Sequence, residues 1–254
     1  MISKNKITEI KKLAQKKFRE ELGLFIVEGT KSVIDLLSSQ LIINELFATD
    51  EWIQKHQKSL NDVPYSAISF SELERISCLK TPQEVLAIVK IPSFDIQNID
   101  FQKPILVLDG IRDPGNLGTI IRTADWFGIR QIVCSDDCVE MTNPKTIMAT
   151  MGSFSRMDVY YTNLPDFLTS SHIHGTIYGT FMQGSPIQHI EFQLNDILVI
   201  GNEANGISKE VEALIQEKVH IPSYAVSAPK AESLNASIAT AIVLYQFCNK
   251  IFEK

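Results

Sequence analysis

Residues 105–124 have the sequence ILVLDGIRDPGNLGTIIRTA, and their pattern indicates the class of fold. Four consecutive apolar residues, Ile105 to Leu108, are typical of a strand that is buried on both faces. A turn rich in Gly, Pro and Asn follows, and the apolar pattern beyond it predicts a helix from about Leu117 to Phe127. A buried strand, a glycine-rich turn and a helix form the repeating unit of a parallel α/β sheet.

The same alternation continues toward the C-terminus. Further strands are predicted at residues 131–134, 158–161, 176–180, 197–200 and 218–221. Helices are predicted around residues 144–150 and 164–170, from about residue 208, and over residues 233–250. Because continuous apolar strands between helices favour a parallel sheet, we expect a mostly parallel sheet that is covered by helices on both faces.

A shorter α/β region precedes this one. Its strands are predicted at residues 24–27, 46–48, 65–68 and 85–89, and its helices at residues 30–37 and 69–76. Residues 92–103 show no periodicity and contain Pro92 and Asn98, which is typical of a linker. The sequence therefore predicts a smaller α/β domain over residues 1–91, a linker over 92–103 and a larger α/β domain over 104–254.

The composition excludes several classes of protein. With 44% hydrophobic and 21% charged residues, the chain can bury a substantial core and is not disordered. No apolar segment reaches the roughly 18 residues that span a membrane, and the N-terminus has no apolar signal region. We therefore expect a cytoplasmic protein that does not contact a membrane. The four cysteines form neither a disulfide framework nor a zinc site, and we expect no metal.

The N-terminus is basic, although the whole chain has a formal net charge of −6. Residues 1–20 contain seven Lys or Arg and two Glu, a net charge of +5, which leaves −11 on the other residues. A local positive charge of this kind can contact a phosphate backbone. The candidates for that contact are Lys11, Lys12, Lys16 and Lys17. A solvated amphipathic helix explains the charge equally well, because apolar residues recur at helical spacing between residues 7 and 18.

Three loops of unusual composition follow predicted strands. They span residues 109–118, 201–206 and 222–232. Ligands of parallel sheets bind outside the carboxyl ends of the strands, so these loops predict a binding site. None of them matches G-x-G-x-x-G or a P-loop. A nucleotide-dependent oxidoreductase, one of the interpretations to consider, therefore lacks its phosphate-binding fingerprint.

Candidate side chains in and beside these loops also have structural interpretations. Arg122 can pair with an acidic residue, or its guanidinium can face a phosphate or a reacting oxygen. Glu203 can accept hydrogen bonds from a ligand or from nearby backbone. Ser233 or Asn235 can cap the last predicted helix, or they can border a ligand that lies against the loop at residues 201–206.

The three loops carry motifs in a definite order. These are D-P-x-N-x-G-x-x-x-R-T-A at residues 113–124, L-V-x-G-N-E-x-x-G at 198–206, and I-P followed by S-L-N-x-S within 221–237. The set resembles the three motifs of the SpoU/TrmH-type RNA 2′-O-methyltransferases, which belong to the SPOUT superfamily. Asn143-Pro144-Lys145 and Gly152-Ser153 resemble an intermediate segment of that family. The sequence FIVEG at residues 25–29 resembles the small substrate-binding domain often fused to these enzymes.

The resemblance implies a fold and a cofactor. It implies that the parallel sheet ends in a C-terminal trefoil knot and that the smaller α/β domain before it engages RNA. The implied cofactor is S-adenosylmethionine, with no metal. By motif position its contacts are Gly201, Ile221 and Leu234, and Thr180, at the end of the preceding predicted strand, is expected to join them.

The resemblance also implies a reaction, methyl transfer to a ribose 2′-hydroxyl of RNA. Arg122 is the residue implied to activate that hydroxyl. Asn116 and Glu203 are implied to position Arg122 and the loops, while Ser233 and Asn235 shape the site at the helix start. The expected substrate is ribosomal RNA ahead of transfer RNA, and the expected assembly is a homodimer.

One loop departs from the family pattern. Ten residues, 223–232, separate Pro222 from Ser233, which is longer than the family's usual spacing, and Pro229 stands near an expected glycine. Ala204 also replaces a common glycine. The longer loop leaves open a second interpretation, a catalytically inactive RNA-binding or assembly protein that keeps the same fold.

Overall fold

The computed structural model describes residues 2–60, 62–225 and 231–252. Its α-helices are α1 (Lys4–Lys12), α2 (Lys16–Leu22), α3 (Thr30–Leu37), α4 (Asp50–Leu60), α5 (Phe70–Ile76), α6 (Pro114–Trp126), α7 (Pro144–Thr150), α8 (Leu164–Leu168), α9 (Lys209–Glu212) and α10 (Ala236–Phe252). Its strands are β1 (Leu24–Glu28), β2 (Ile43–Ala48), β3 (Tyr65–Ala67), β4 (Val85–Lys90), β5 (Ile105–Asp109), β6 (Gln131–Ser135), β7 (Asp158–Thr162), β8 (Ile177–Pro186), β9 (Ile197–Gly201) and β10 (Glu217–His220).

The chain divides into two compact units. The first contains Met1–Ser93 together with Glu140–Arg156, and the second contains Phe94–Val139 together with Met157–Lys254. The sequence places residues 140–156 in the larger domain, whereas their contacts group them with the first 93 residues.

The sheet of the first unit has the strand order β1-β4-β2-β3. β4 pairs antiparallel with both β1 and β2, and β2 pairs parallel with β3. Apolar residues of β1, β2 and β4 form a core with α1 and α5, to which Ile10, Ile26 and Leu86 belong. α5 is capped at its start, because Ser69 and Glu72 form a reciprocal capping box.

The basic N-terminal segment forms two helices, so the single amphipathic helix predicted there is wrong. α1 ends at Lys12 and α2 begins at Lys16, because the backbone turns at Leu13, which is buried. Arg19 is only 1% exposed. Its guanidinium donates to the carbonyl oxygens of Leu13 and Ala14, each at 2.9 Å, and pairs with Glu140. Arg19 is therefore a structural residue and does not add to the surface charge.

Residues 140–156 are held in the first unit by contacts in addition to Arg19. Arg156 Nη1 lies 3.1 Å from Asp35 Oδ2, and the rings of Phe25 and Phe154 meet edge to face at 6.1 Å between centres. Gly152 has a φ of 98°, and a Cβ there would lie 2.2 Å from Asp35 Oδ2. The positive φ favours glycine, and a larger residue would also force the Asp35 carboxylate to move.

The second unit contains a six-stranded sheet in the order β10-β8-β9-β5-β6-β7. Every neighbouring pair of strands is parallel, which confirms the α/β fold with a mostly parallel sheet. β5 lies between β9 and β6 and is buried along its whole length. The carboxyl ends of all six strands therefore lie at one edge of the sheet, where the predicted loops emerge.

Several elements differ from the prediction. The sequence did not predict α4 (Asp50–Leu60) or the first residues of β2 (Ile43–Ala48), and boundaries in the second unit shift. α6 begins at Pro114, because Asp113 caps the helix and proline suits its first position. β8 continues to Pro186, and residues 180–184 bulge away because the pairing with β10 shifts between Lys218 and Val219. α10 begins at Ala236. No helix in the described part of the chain is long and apolar enough to cross a membrane.

Candidate active site

The amide side chain of Asn116 joins the three loops that were predicted from the sequence. Asn116, in the first turn of α6, donates from Nδ2 to Glu203 Oε1. Its Oδ1 accepts a hydrogen bond from Asn235 Nδ2 at 3.0 Å. The three loops therefore meet at the carboxyl edge of the sheet, and the structure brings together three of the predicted site residues.

The first loop is fixed at both of its ends. Asp113 Oδ1 accepts a hydrogen bond from the backbone N–H of Asn116 at 2.8 Å, which starts α6 and orients its first turn. Asp109, at the end of β5, is buried and accepts from the backbone N–H of Ser208 at 2.7 Å. The carboxylate of Asp109 thus links the end of β5 to the segment that follows the second loop.

The second loop is a tight hairpin at the end of β9. The backbones of Asn202 and Gly206 exchange hydrogen bonds of 3.0 and 2.8 Å. A Cβ at Gly201 would lie 2.3 Å from the carbonyl carbon of Gly206, so this position requires glycine. Asn202 Nδ2 donates to the carbonyl oxygen of Gly110 at 2.7 Å, which joins the second loop to the first. The hairpin holds Glu203, which is half-buried, toward Asn116.

The third loop ends at the cap of α10. Asn235 Oδ1 accepts hydrogen bonds from the backbone N–H and the hydroxyl of Ser237, at 3.0 and 2.6 Å. Asn235 therefore caps the helix and contacts Asn116 with the same amide group. Ser233 is exposed and forms no hydrogen bond with a described residue. Residues 226–230, which include Pro229, lie outside the described residues.

Arg122 does not take part in the hydrogen bonds that join Asn116 to Glu203 and Asn235. It is exposed on α6, six residues after Asn116, which places it roughly 120° around the helix axis. Its guanidinium forms no hydrogen bond or ion pair with any residue that the structure describes. Among the described residues, the side chains of Asn116 and Glu203 bond to each other, and no hydrogen bond joins either of them to Arg122.

Three of the predicted cofactor contacts lie on adjacent strands. Thr180 is in β8, Gly201 ends β9, and Ile221 follows β10 directly. The hydroxyl of Thr180 donates to the carbonyl oxygen of Val199 at 3.2 Å. Leu234, between the third loop and α10, leaves 45% of its surface exposed. Ile221 and Leu234 supply apolar side chains and Gly201 supplies backbone groups, and these residue types suit a ligand such as adenosine, so they fit the implied cofactor.

The sequence does not point to a second polar cluster, on the β6 side of β5. Ser135 Oγ accepts from the backbone N–H of Gly110 at 2.9 Å and donates to Asp137 Oδ1 at 2.7 Å. Arg112 Nη2 donates to Asp137 Oδ2 at 2.7 Å. The guanidinium of Arg112 and the hydroxyl of Ser135 hold the pKa of Asp137 below its ordinary value. The available signal was the Ser-Asp-Asp turn directly after β6.

The predicted nucleic-acid contacts lie in the first unit, on α1 and α2, and all four are exposed: Lys11, Lys12, Lys16 and Lys17. Lys12 Nζ lies 5.2 Å from the centre of the Phe18 ring, and Lys16 Nζ lies 3.8 Å from Glu20 Oε1. Lys11 and Lys17 form no ion pair with the described residues.

The part of the chain that the structure describes contains no group of three or more His, Cys, Asp or Glu side chains that could hold a metal ion.

Two family profiles match this chain. The profile of the SpoU rRNA Methylase family matches residues 103–245, and that of the MRM3-like substrate binding domain matches residues 4–87. The 23S rRNA (guanosine(2553)-2′-O)-methyltransferase RlmP of Bacillus subtilis is 33% identical over 251 residues, which cover 94% of each chain.

Solved structures resemble the whole chain. A TrmH-family protein from Porphyromonas gingivalis is 33% identical, with a TM-score of 0.88 over 97% of this chain and 98% of the other. An AdoMet-bound rRNA methyltransferase from Sinorhizobium meliloti is 29% identical, with a TM-score of 0.86 over 98% of this chain and 96% of the other.

Proposed function

We infer that this chain, which belongs to the SpoU rRNA methylase family, is an S-adenosylmethionine-dependent RNA 2′-O-methyltransferase. The observation that carries this conclusion is the pair of hydrogen bonds at Asn116, which donates to Glu203 and accepts from Asn235. These bonds bring the three motifs of the family to one edge of the parallel sheet. The loops of such an edge are where α/β proteins bind their ligands.

The proposed cofactor site is formed by Thr180, Gly201, Ile221 and Leu234. S-adenosylmethionine supplies a methyl group that the positive charge of its sulfur already activates. The chain contributes apolar surface from Ile221 and Leu234, and backbone groups at the Gly201 hairpin. Thr180 shapes the wall between them, since its hydroxyl is bonded to the backbone of β9.

Arg122 is the proposed catalytic residue. A ribose hydroxyl is a poor nucleophile near neutral pH and must lose its proton as it attacks. Arginine stays protonated, so Arg122 orients the hydroxyl and stabilises the negative charge that develops on its oxygen. Asn116, Glu203 and Asn235 hold the loops around the reacting groups, and the exposed Ser233 borders the site at the start of the last helix.

We assign RNA binding to the first unit as well, with ribosomal RNA as the substrate. In this proposal residues 1–91 form the substrate-binding domain, 92–103 the linker and 104–254 the catalytic domain, whose segment 140–156 packs in the first unit. The match of residues 4–87 to a substrate-binding family supports the first assignment. The exposed lysines of α1 and α2 supply positive charge for phosphate contacts: Lys11, Lys12, Lys16 and Lys17.

The proposal includes a homodimer, a C-terminal trefoil knot and a cytoplasmic location. Large apolar side chains on α6 and α10 support the dimer, because Trp126, Ile238 and Tyr245 are 84%, 52% and 58% exposed. Such side chains mark association surfaces when they form a contiguous patch. The knot and the location are the properties expected from family membership. Light scattering at micromolar concentration tests the dimer, and a monomer would contradict it.

Two measurements test the proposed function. The purified chain is titrated with S-adenosylmethionine in a calorimeter, and transfer of a labelled methyl group to ribosomal RNA is followed by mapping of 2′-O-methyl sites. We expect binding and transfer to a specific ribose. If the chain neither binds S-adenosylmethionine nor transfers a methyl group, the proposed function is wrong. An inactive RNA-binding protein would then be favoured, and the longer loop at residues 223–232 is the feature that supports that alternative.

A further inference from the structure

Arg112 is an exposed cation in the first loop that the proposed reaction does not yet use. It precedes the capping residue Asp113, and its side chain is 66% exposed. The guanidinium is nevertheless held in one place, because Nη2 donates to Asp137 Oδ2 at 2.7 Å. A charged group that is both accessible and fixed is suited to recognise a ligand of opposite charge.

Asp137, which accepts the bond from Arg112, is itself bonded to the end of a strand. Asp137 accepts a second hydrogen bond from Ser135, which ends β6, and Ser135 accepts one from the backbone of Gly110 after β5. The pKa of Asp137 is lowered first by Arg112 and then by Ser135, so the carboxylate is charged near neutral pH. The position of the guanidinium is therefore set by two adjacent strands.

Most of the hydrogen-bonding capacity of Arg112 is still available. A guanidinium has five N–H donors, and the structure records a bond from one nitrogen to Asp137. The other donors form no hydrogen bond with the described residues. A phosphate group accepts two parallel N–H bonds from arginine, so Arg112 can bind one while it keeps its contact with Asp137.

The strand order places Arg112 away from the proposed cofactor site. Thr180, Gly201 and Ile221 belong to β8, β9 and the end of β10, on one side of β5. Asp137 follows β6, on the other side of β5. Arg112 therefore faces the part of the carboxyl edge that the cofactor residues do not border.

We propose that Arg112, oriented by Asp137, binds a backbone phosphate of the RNA substrate at the carboxyl edge of the sheet. Arg112 is a binding residue and Asp137 is its positioning residue. The proposal rests on the RNA methyltransferase function inferred above and adds a contact to it.

The test compares wild type with Arg112→Gln, Asp137→Asn and Arg130→Gln. Arg130 is the matched control, because it is exposed in the same unit but precedes β6 at the amino edge of the sheet. The probes are an unmodified 23S rRNA transcript and labelled S-adenosylmethionine. Filter binding over a range of salt concentrations gives RNA affinity, steady-state kinetics give kcat and KM, and calorimetry gives cofactor affinity.

We expect Arg112→Gln to raise the KM for RNA roughly tenfold and to lower the salt-dependence slope by about 1, with kcat and cofactor affinity unchanged. Arg130→Gln should leave all four quantities at their wild-type values. Asp137→Asn removes a negative charge, yet we expect it to raise KM, because it releases the guanidinium.

Equal RNA binding by Arg112→Gln and Arg130→Gln would overturn the proposal. Weaker cofactor binding by Arg112→Gln would also overturn it, because the contact would then be with the cofactor. Tighter RNA binding by Asp137→Asn would contradict the positioning role. If wild type transfers no methyl group to RNA, the proposed function fails, and filter binding still decides whether Arg112 contacts RNA.

Discussion

The basic segment of the first unit and the carboxyl-edge loops of the second unit were both identified from their polar residues. The contacts of these residues differ between the two regions. In the basic segment, Arg19 is buried and bonds to backbone carbonyls, while the lysines around it are exposed. In the loops, Asn116 bonds to side chains from two other loops. A count of charges thus does not separate the buried Arg19 from the exposed lysines, whereas the order of short polar motifs after parallel strands predicted residues that meet in the structure.

The largest expected effect is on catalysis, from Arg122→Ala. Methyl transfer should fall about 10³-fold, because one donor to a developing negative charge contributes roughly that much. Cofactor affinity should stay near the wild-type value, since Arg122 lies on α6 and not on the strands of the proposed cofactor site. Single-turnover kinetics and calorimetry measure the two quantities, with Arg130→Ala as control. Retained turnover would show that another group activates the hydroxyl.

Arg19→Leu should produce the next largest effect, on stability alone. Removing a buried guanidinium leaves Glu140 without its partner, which costs about 3 kcal/mol of unfolding free energy. Urea denaturation monitored by circular dichroism measures this loss, and Lys17→Leu, an exposed neighbour, should cost close to nothing. An unchanged unfolding midpoint would mean that Arg19 does not stabilise the first unit.

Asn116→Ala tests whether the joint between the loops matters for turnover. Asn116→Ala removes one hydrogen bond with a carboxylate and one with an amide. We expect the stabilisation of the transition state to fall by ~2 kcal/mol, which lowers kcat/KM roughly 30-fold. Asn98→Ala, at an exposed asparagine in the same unit, should have no effect. If both variants have wild-type activity, the three loops hold their positions without Asn116.

The smallest effect is expected from the lysines. Replacing Lys11 and Lys17 with glutamine should weaken RNA binding a few-fold and lower the salt-dependence slope by about 2, because each lysine neutralises one phosphate. Lys55 and Lys58 on α4 of the same unit provide the matched double replacement. If the Lys11/Lys17 double variant shows the same salt dependence of RNA binding as wild type, the basic segment is a solvated surface that does not contact RNA.

Two of the boundary differences have local causes that the apolar pattern does not contain. α6 starts early because Asp113 and Pro114 begin the helix before its apolar residues appear. β8 continues through the bulge at residues 180–184, where a Cβ at Gly184 would lie 2.4 Å from the carbonyl oxygen of Lys218. Periodicity marks where an element is buried, and caps or bulges set where it ends.

The sequence by itself determined the α/β class, the parallel sheet and the three loops with Asn116, Glu203 and Asn235. It could do so because strand and helix periods are local, and because parallel strands all end at one edge. Only the tertiary structure decided that Asn116 bonds to residues 87 and 119 positions away, and that Arg19 is buried against Glu140, 121 positions away. No local pattern encodes such pairs, since they depend on how distant elements pack.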